Sequence, residues 1–171
     1  EIKLVKDCLS LMVKKSGVLK KEFDLVLAGD LLNQITASTY GTVDYGKGFI
    51  GVYGACSSSV LEMIIASNFI ESKQANNALC VVSSHNMSSE KQFRNPTEYG
   101  APKPRSATFT ATGAASILLT NEKSEVRVES ATLGKIIDME ENDPNDMGRV
   151  MAPSAIDTLK RHFEETGRDP D

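Results

Sequence analysis

Apolar residues recur at helical spacing from the start of the chain. Ile2, Val5, Leu9, Met12 and Val13 share one face until Ser16-Gly17, which predicts an amphipathic helix stopped by glycine. The next apolar run is continuous, Phe23-Asp24-Leu25-Val26-Leu27-Ala28-Gly29-Asp30, and reads as a buried strand whose carboxyl end meets a loop. Residues 31 to 40 fit either a short helix or an irregular crossing segment. A short β-favouring run over residues 48 to 53 then gives way to Val60, Leu61, Ile64, Ile65 and Phe69, so the period switches from strand to a helix over residues 57 to 72. A further strand is expected over residues 77 to 83. Strand and helix alternate as they do around a largely parallel sheet, which places the chain in the α/β class.

Beyond this point the pattern loosens. Residues 85 to 106 form a long polar excursion with three prolines and no clean period, and loops of that length are often functional. Residues 114 to 120 and 126 to 137 read as two strands of an antiparallel hairpin joined by Asn121-Glu122-Lys123-Ser124. The acidic stretch 138 to 148 has the wrong spacing for a calcium loop: counting from Asp143, the fifth position is Met147 and the twelfth is Ser154, so it reads as a solvated linker. A last helix is expected from Ser154, with Asp157 completing a capping box, Ile156, Leu159 and Phe163 on its buried face and His162 on its exposed one, ending at Gly167.

The candidate chemistry lies where the period switches. Gly54-Ala55-Cys56-Ser57-Ser58-Ser59 turns a strand sharply into a helix with a thiol at the corner. Gly54 and Ala55 permit the bend, and Ser57 to Ser59 are placed to cap the first helical turn. Orphan amides and the positive end of the helix dipole favour an anion there, either a Cys56 thiolate or a bound carboxylate. This is the geometry of a nucleophile elbow with sulfur for oxygen. Against it stands the plainer reading, a small residue packed at a tight junction. Cys8 on the first helix and Cys80 inside a strand read as core. Three cysteines without metal-ligand spacing imply a reducing compartment and no disulfide framework. Asp30, Cys56 and Ser83 to His85 follow three successive strands, and in open α/β sheets the carboxyl edge is where ligands bind.

Composition narrows the classes. The 171 residues are 40% hydrophobic and 25% charged, as in a globular domain. A net charge of -4 with scattered basic residues gives no nucleic-acid footprint, and no run is long enough to span a membrane. The chain begins with Glu1 inside a helix and stops just after another, so both ends read as cut from a longer protein.

The elbow, with Val81-Val82-Ser83-Ser84 and Thr110-Ala111-Thr112-Gly113-Ala114, resembles the amino-terminal half of thiolase-fold condensing enzymes. More closely, the chain resembles the stage V sporulation protein AD family. The resemblance rests on Leu27 to Gln34, on Tyr53 to Ser57, on Ser84-His85-Asn86 with Gln92 to Gly100, and on Gly148-Arg149-Val150-Met151-Ala152-Pro153. It implies the first half of a duplicated, mixed-sheet αβαβα architecture. Residues 1–137 would form the amino-terminal half, incomplete at its start, and residues 138–171 the linker and first helix of the second.

The resemblance also implies a function: non-catalytic binding of dipicolinic acid, the pyridine dicarboxylate stored with calcium in spores, for uptake into the developing spore, with a link to germination. The expected ligand-binding residues are Asp30, Cys56, Ser57, His85 and Asn86, with the amides at Cys56 and Ser57 holding one carboxylate. Arg94, Lys103 and Arg105 are candidate sources of positive charge. Asp30, itself anionic, would orient a neighbour, accept a hydrogen bond, bridge through calcium or simply end a strand. No cofactor is expected beyond calcium accompanying the ligand, and no metal site. The implied partners are membrane-associated proteins of the same uptake system at the cytosolic face or periphery of a spore or forespore membrane, and a second copy paired through residues 49 to 53. The alternative is a condensing acyltransferase with Cys56 as acyl-accepting nucleophile. That chemistry needs a His-His or His-Asn pair that the family's enzymes carry in their second half, and His85 is no obvious substitute.

Overall fold

The strand at the centre of the molecule, β1 (Leu25–Gly29), is buried at every position, which its unbroken apolar sequence requires. In this computed structural model, residues 1–93, 109–142 and 146–169 are described. β1 pairs in parallel with β2 (Gly48–Val52) on one side and β3 (Asn77–Ser84) on the other, and β4 (Gly113–Thr120) closes the sheet antiparallel to β3, in the order β2-β1-β3-β4. The sheet lies in the first of two compact units, Glu1–Ser124; the second is Glu125–Asp171.

Alternation along the strands divides the core in two. On one face Val26, Ala28, Leu79 and Val81 pack with Val5 and Leu9 of α1 (Ile2–Ser16), together with Phe23 and Tyr45. On the other, Leu25, Leu27, Ala78 and Cys80 pack with Ala66 of α3 (Ser58–Glu71), flanked by Ile65, Phe69 and Ile70. α1 ends as expected: Gly17 takes the left-handed conformation, φ 73°, and its N–H donates to the Val13 carbonyl. The ambiguous segment 31 to 40 resolves into a loop and the short helix α2 (Thr36–Gly41).

Several expectations change. The excursion from residue 85 opens with a helix, α4 (Asn86–Phe93), tied down by Asn86: its amide N–H donates to Thr112 Oγ1 at 3.0 Å and its side chain to the Thr110 carbonyl at 3.1 Å. Arg94, Lys103 and Arg105 lie outside the described residues. The expected hairpin does not form. β4 pairs instead with β3 over eight residues, from Asn77↔Thr120 to Ser84↔Gly113, because the open apolar edge of β3 is the better partner. Residues 126 to 137 hold no strand; Arg127 and Glu129 pair with each other there, and Arg168 joins Glu129.

The last helix, α5 (Met147–Thr166), starts seven residues before Ser154. Asp146 is its cap, accepting the Arg149 N–H at 3.1 Å, and Pro153 lies within the helix. Asp157 completes no capping box and instead meets Lys135 at 2.8 Å. His162 is half-buried rather than solvated, with Nδ1 3.0 Å from Thr132 Oγ1.

Candidate functional site

Parallel pairing of β1 with β2 and β3 brings Asp30, the Cys56 turn and His85 to one edge of the sheet. Gly29 is level with Val52 and with Val82, and each candidate follows within a few residues of its strand's last pair. The expected carboxyl-edge cluster is therefore present as topology.

Two residues at this edge carry backbone strain. Ala55, immediately before the thiol, has φ 47°, and Ile35, at the start of α2, has φ 43°. Positive φ is costly for any side chain and more so for a β-branched one, so the surrounding contacts must hold both.

The elbow is a single 3-10 turn, Ala55–Ser57, leading straight into α3. Its hydrogen bonds differ from the expected caps. Ser57 donates both its N–H, at 2.9 Å, and its hydroxyl, at 2.6 Å, to the Gly54 carbonyl. Ser58 N–H bonds to the Ala55 carbonyl, and the buried Ser58 hydroxyl accepts the Gly54 N–H at 3.1 Å. No serine caps α3 through its side chain. The Ser57 amide is thus already committed within the turn. Within this turn the N–H groups of Ala55 and Cys56 have no partner among the described residues; they are on successive residues, beside an exposed thiol. Two consecutive free amides in the turn that leads into a 14-residue helix suit an anion, and this turn is the candidate anion seat.

Asp30 is a buried anchor, 2% exposed. One carboxylate oxygen accepts the Leu32 N–H at 2.9 Å; the other accepts the Ser38 N–H at 2.9 Å and the Ser38 hydroxyl at 2.8 Å. It holds the loop after β1 and fastens α2 to the sheet edge. His85 is half-buried, and its carbonyl accepts both the N–H and the hydroxyl of Ser89 at 3.0 Å. Asn86 is committed through its amide donors to the segment leading into β4, which leaves its Oδ1 as the polar atom able to serve a ligand.

A residue that sequence reasoning missed lies beneath the elbow. The buried face of α3 is Ser58, Glu62 and Ala66, spaced four apart, and Glu62 is fully buried. Neither carboxylate oxygen has a hydrogen-bond partner of ordinary length and angle. Burial pushes the Glu62 carboxyl up to about 8, with the Val81 backbone offsetting part of the effect. The neighbouring Cys80 thiol is pushed up to about 12, by burial first and by Glu62 second. Gly29 makes room for this carboxyl: a Cβ there would stand 3.1 Å from Glu62 Oε1 and 2.6 Å from the Val52 carbonyl oxygen. The available signal was an acid flanked by apolar residues in the middle of α3, four residues from a small residue on either side.

Among the described residues no group of three or more His, Cys, Asp or Glu side chains converges as metal ligands do, and no helix is long and apolar enough to cross a membrane.

Similarity to known proteins agrees with this architecture. Over 98% of the chain, the structure matches a variant of Xanthomonas campestris OleA bound with cerulenin, at TM-score 0.68 and 11% identity, covering 55% of that protein. It also matches a 3-oxoacyl-(acyl-carrier-protein) synthase III at TM-score 0.60 and 14% identity, again over 98% of this chain and over 60% of the other. At such identities the likeness speaks for fold alone: the chain is half of a thiolase-like α/β fold. In sequence, it is 40% identical over all 171 residues to stage V sporulation protein AD of Bacillus subtilis, and spans about half, 51%, of that relative's length. The family profile for stage V sporulation protein AD (SpoVAD) matches residues 1–171, so the chain belongs to the stage V sporulation protein AD family.

Proposed function

We propose that this chain supplies part of a non-catalytic binding site for dipicolinic acid, serving its uptake into the developing spore. The observation that carries the reading is the pair of unpartnered amides at Ala55 and Cys56, set on the carboxyl edge of the sheet in a chain of a sporulation family. They suit one ligand carboxylate, and Asn86 Oδ1 and His85 follow β3, across β1 on the same edge, to orient the ring. Asp30 serves as the anchor of this edge. Calcium, where it accompanies the ligand, would arrive with it. The expected setting is the periphery of a spore or forespore membrane, beside the membrane-associated proteins of the same system, and germination is the later stage to which the stored ligand belongs. A second copy would pair along β2, which is an edge strand with Phe49 46% exposed and Tyr53, just past its end, 48% exposed.

The alternative is acyl transfer through Cys56, and the exposed thiol at a strained elbow is what favours it. Calorimetric titration of the full-length protein with dipicolinic acid, with and without calcium, separates the two when run beside Cys56→Ala and an acetyl-thioester labelling control. Saturable binding, weakened by the substitution and without acyl label, is the expected result. Stoichiometric acylation of Cys56 without binding would overturn the binding reading.

A further inference from the structure

Glu62 has no place in the binding reading, yet it lies under the turn that forms the anion seat. It sits one helical turn beyond Ser58, whose hydroxyl holds the Gly54 amide, and six residues from Cys56, about 9 Å along a helix axis. The elements packed against α3 are β1, β2, β3, β4 and the elbow turn. β1, β2 and β4 carry no titratable side chain; β3 offers Cys80, the elbow offers Cys56, and Asp30 just past β1 is occupied by Leu32 and Ser38. No lysine, arginine or histidine stands on these elements to neutralise a charge on Glu62.

We propose that Glu62 is a proton-controlled positioning residue of the elbow: as a neutral carboxyl it lets the Ala55 and Cys56 amides hold an anion, and its ionisation opposes one. The physics is a balance of two like charges in a poorly screened interior. Near neutral pH the acid keeps its proton, because burial outweighs the weak Val81 backbone contact and no donor of ordinary geometry compensates the charge. Above about 8 the proton leaves, and a fixed negative charge stands behind the seat. At about 9 Å and an effective dielectric of about 20 to 40, that charge weakens anion binding on the order of 5- to 20-fold. Gly29 is part of the device, since a side chain there would press on both the carboxyl and the end of β2.

The test uses the full-length protein, with Glu62→Gln as a neutral isostere. In the first arm, iodoacetamide labelling of Cys56 is followed by peptide mass spectrometry from pH 6.5 to 9.5. The Gln variant and wild type should label at equal rates below pH 7, and the variant should become several-fold faster above pH 8. A rate ratio flat across the range overturns the inference. Should the Gln variant fold poorly, Glu62→Met provides the same comparison with an apolar isostere. In the second arm, which rests on the binding reading, dipicolinic acid affinity should fall several-fold above pH 8 in wild type and stay level in the variant. If no ligand binds at any pH while the labelling ratio diverges, the binding reading fails and the role of Glu62 stands.

Discussion

Asp24 and Glu62 are both carboxylates attached to the same sheet, and they live in opposite ways. Asp24, at the amino end of β1, receives Lys47 Nζ at 2.8 Å and the backbone amides of Asn76 and Asn77 at 2.9 and 3.3 Å. These donors, the Lys47 hydrogen bond first, hold its carboxyl down at about 2. Glu62, near the carboxyl end, has no hydrogen-bond partner of ordinary length and angle, only a partial offset from the Val81 backbone, and burial pushes it up to about 8. Depth alone does not decide whether a carboxylate finds partners: Asp30 is nearly as buried as Glu62, but three donors serve it. The amino edge is built to be satisfied. The carboxyl edge keeps spare amides, strained backbone and one unsatisfied acid, the features that cluster where ligands act.

The contrast should be most visible in the pH dependence of stability. For Glu62 the native state holds a proton that the unfolded chain has already released, so its contribution is most favourable below about pH 4.5. It declines as pH rises toward 8 and is constant beyond. The full swing has an upper bound of roughly 5 kcal/mol. Urea titrations of full-length wild type and Glu62→Gln should diverge steadily over this window, and parallel curves would remove Glu62 from the contrast. Gly29→Ala comes next, with an expected loss of about 2 to 3 kcal/mol from overpacking against Val52 and Glu62, read as a lower urea midpoint.

Asp24→Asn should cost less, about 1 kcal/mol at neutral pH, because Lys47 and the partly exposed carboxylate are screened by water. Here the sign reverses. The native carboxyl is depressed, so the stabilisation is present above the unfolded value near 4 and fades as pH falls through about 2. A wild-type-to-variant gap that persisted at pH 2 would contradict it. Smallest of all, Lys3→Ala breaks an exposed pair with Asp7 and should move the midpoint by less than about 0.5 kcal/mol.

The sequence carried the architecture of the sheet well where one signal dominated. The buried run of β1, the switch of period at the elbow and the glycine stop of α1 each have a single physical cause, and each was legible. What failed involved competition. Residues 114 to 120 were rightly a strand, but their partner was decided by which apolar edge stood open, a fact about β3 that no local window contains. Ser154 looked like a cap because Asp157, three residues on, resembled a capping box, whereas Asp146 begins the helix earlier and Pro153 is accommodated inside. At the site, the elbow and the three strand exits were readable, but the division of its amides was not, since it depends on where Ser57 and Ser58 aim their hydroxyls. Glu62 was hidden because α3 is apolar on nearly every side, leaving no polar face from which an acid would be seen to depart.

The edge strand β2 carries a cost of a different kind. Gly48-Phe49-Ile50-Gly51-Val52 has neither a charge nor a proline, the two devices by which strands at the margin of a sheet usually repel other extended chains. An edge left in this condition is a template for whatever β-competent segment meets it first, including unfolded copies of the same sequence. Solubility during synthesis is then a race between correct pairing and aggregation, set by concentration as much as by stability. A single lysine at position 49 would slow the second outcome, at the expense of whatever the edge is kept open to receive.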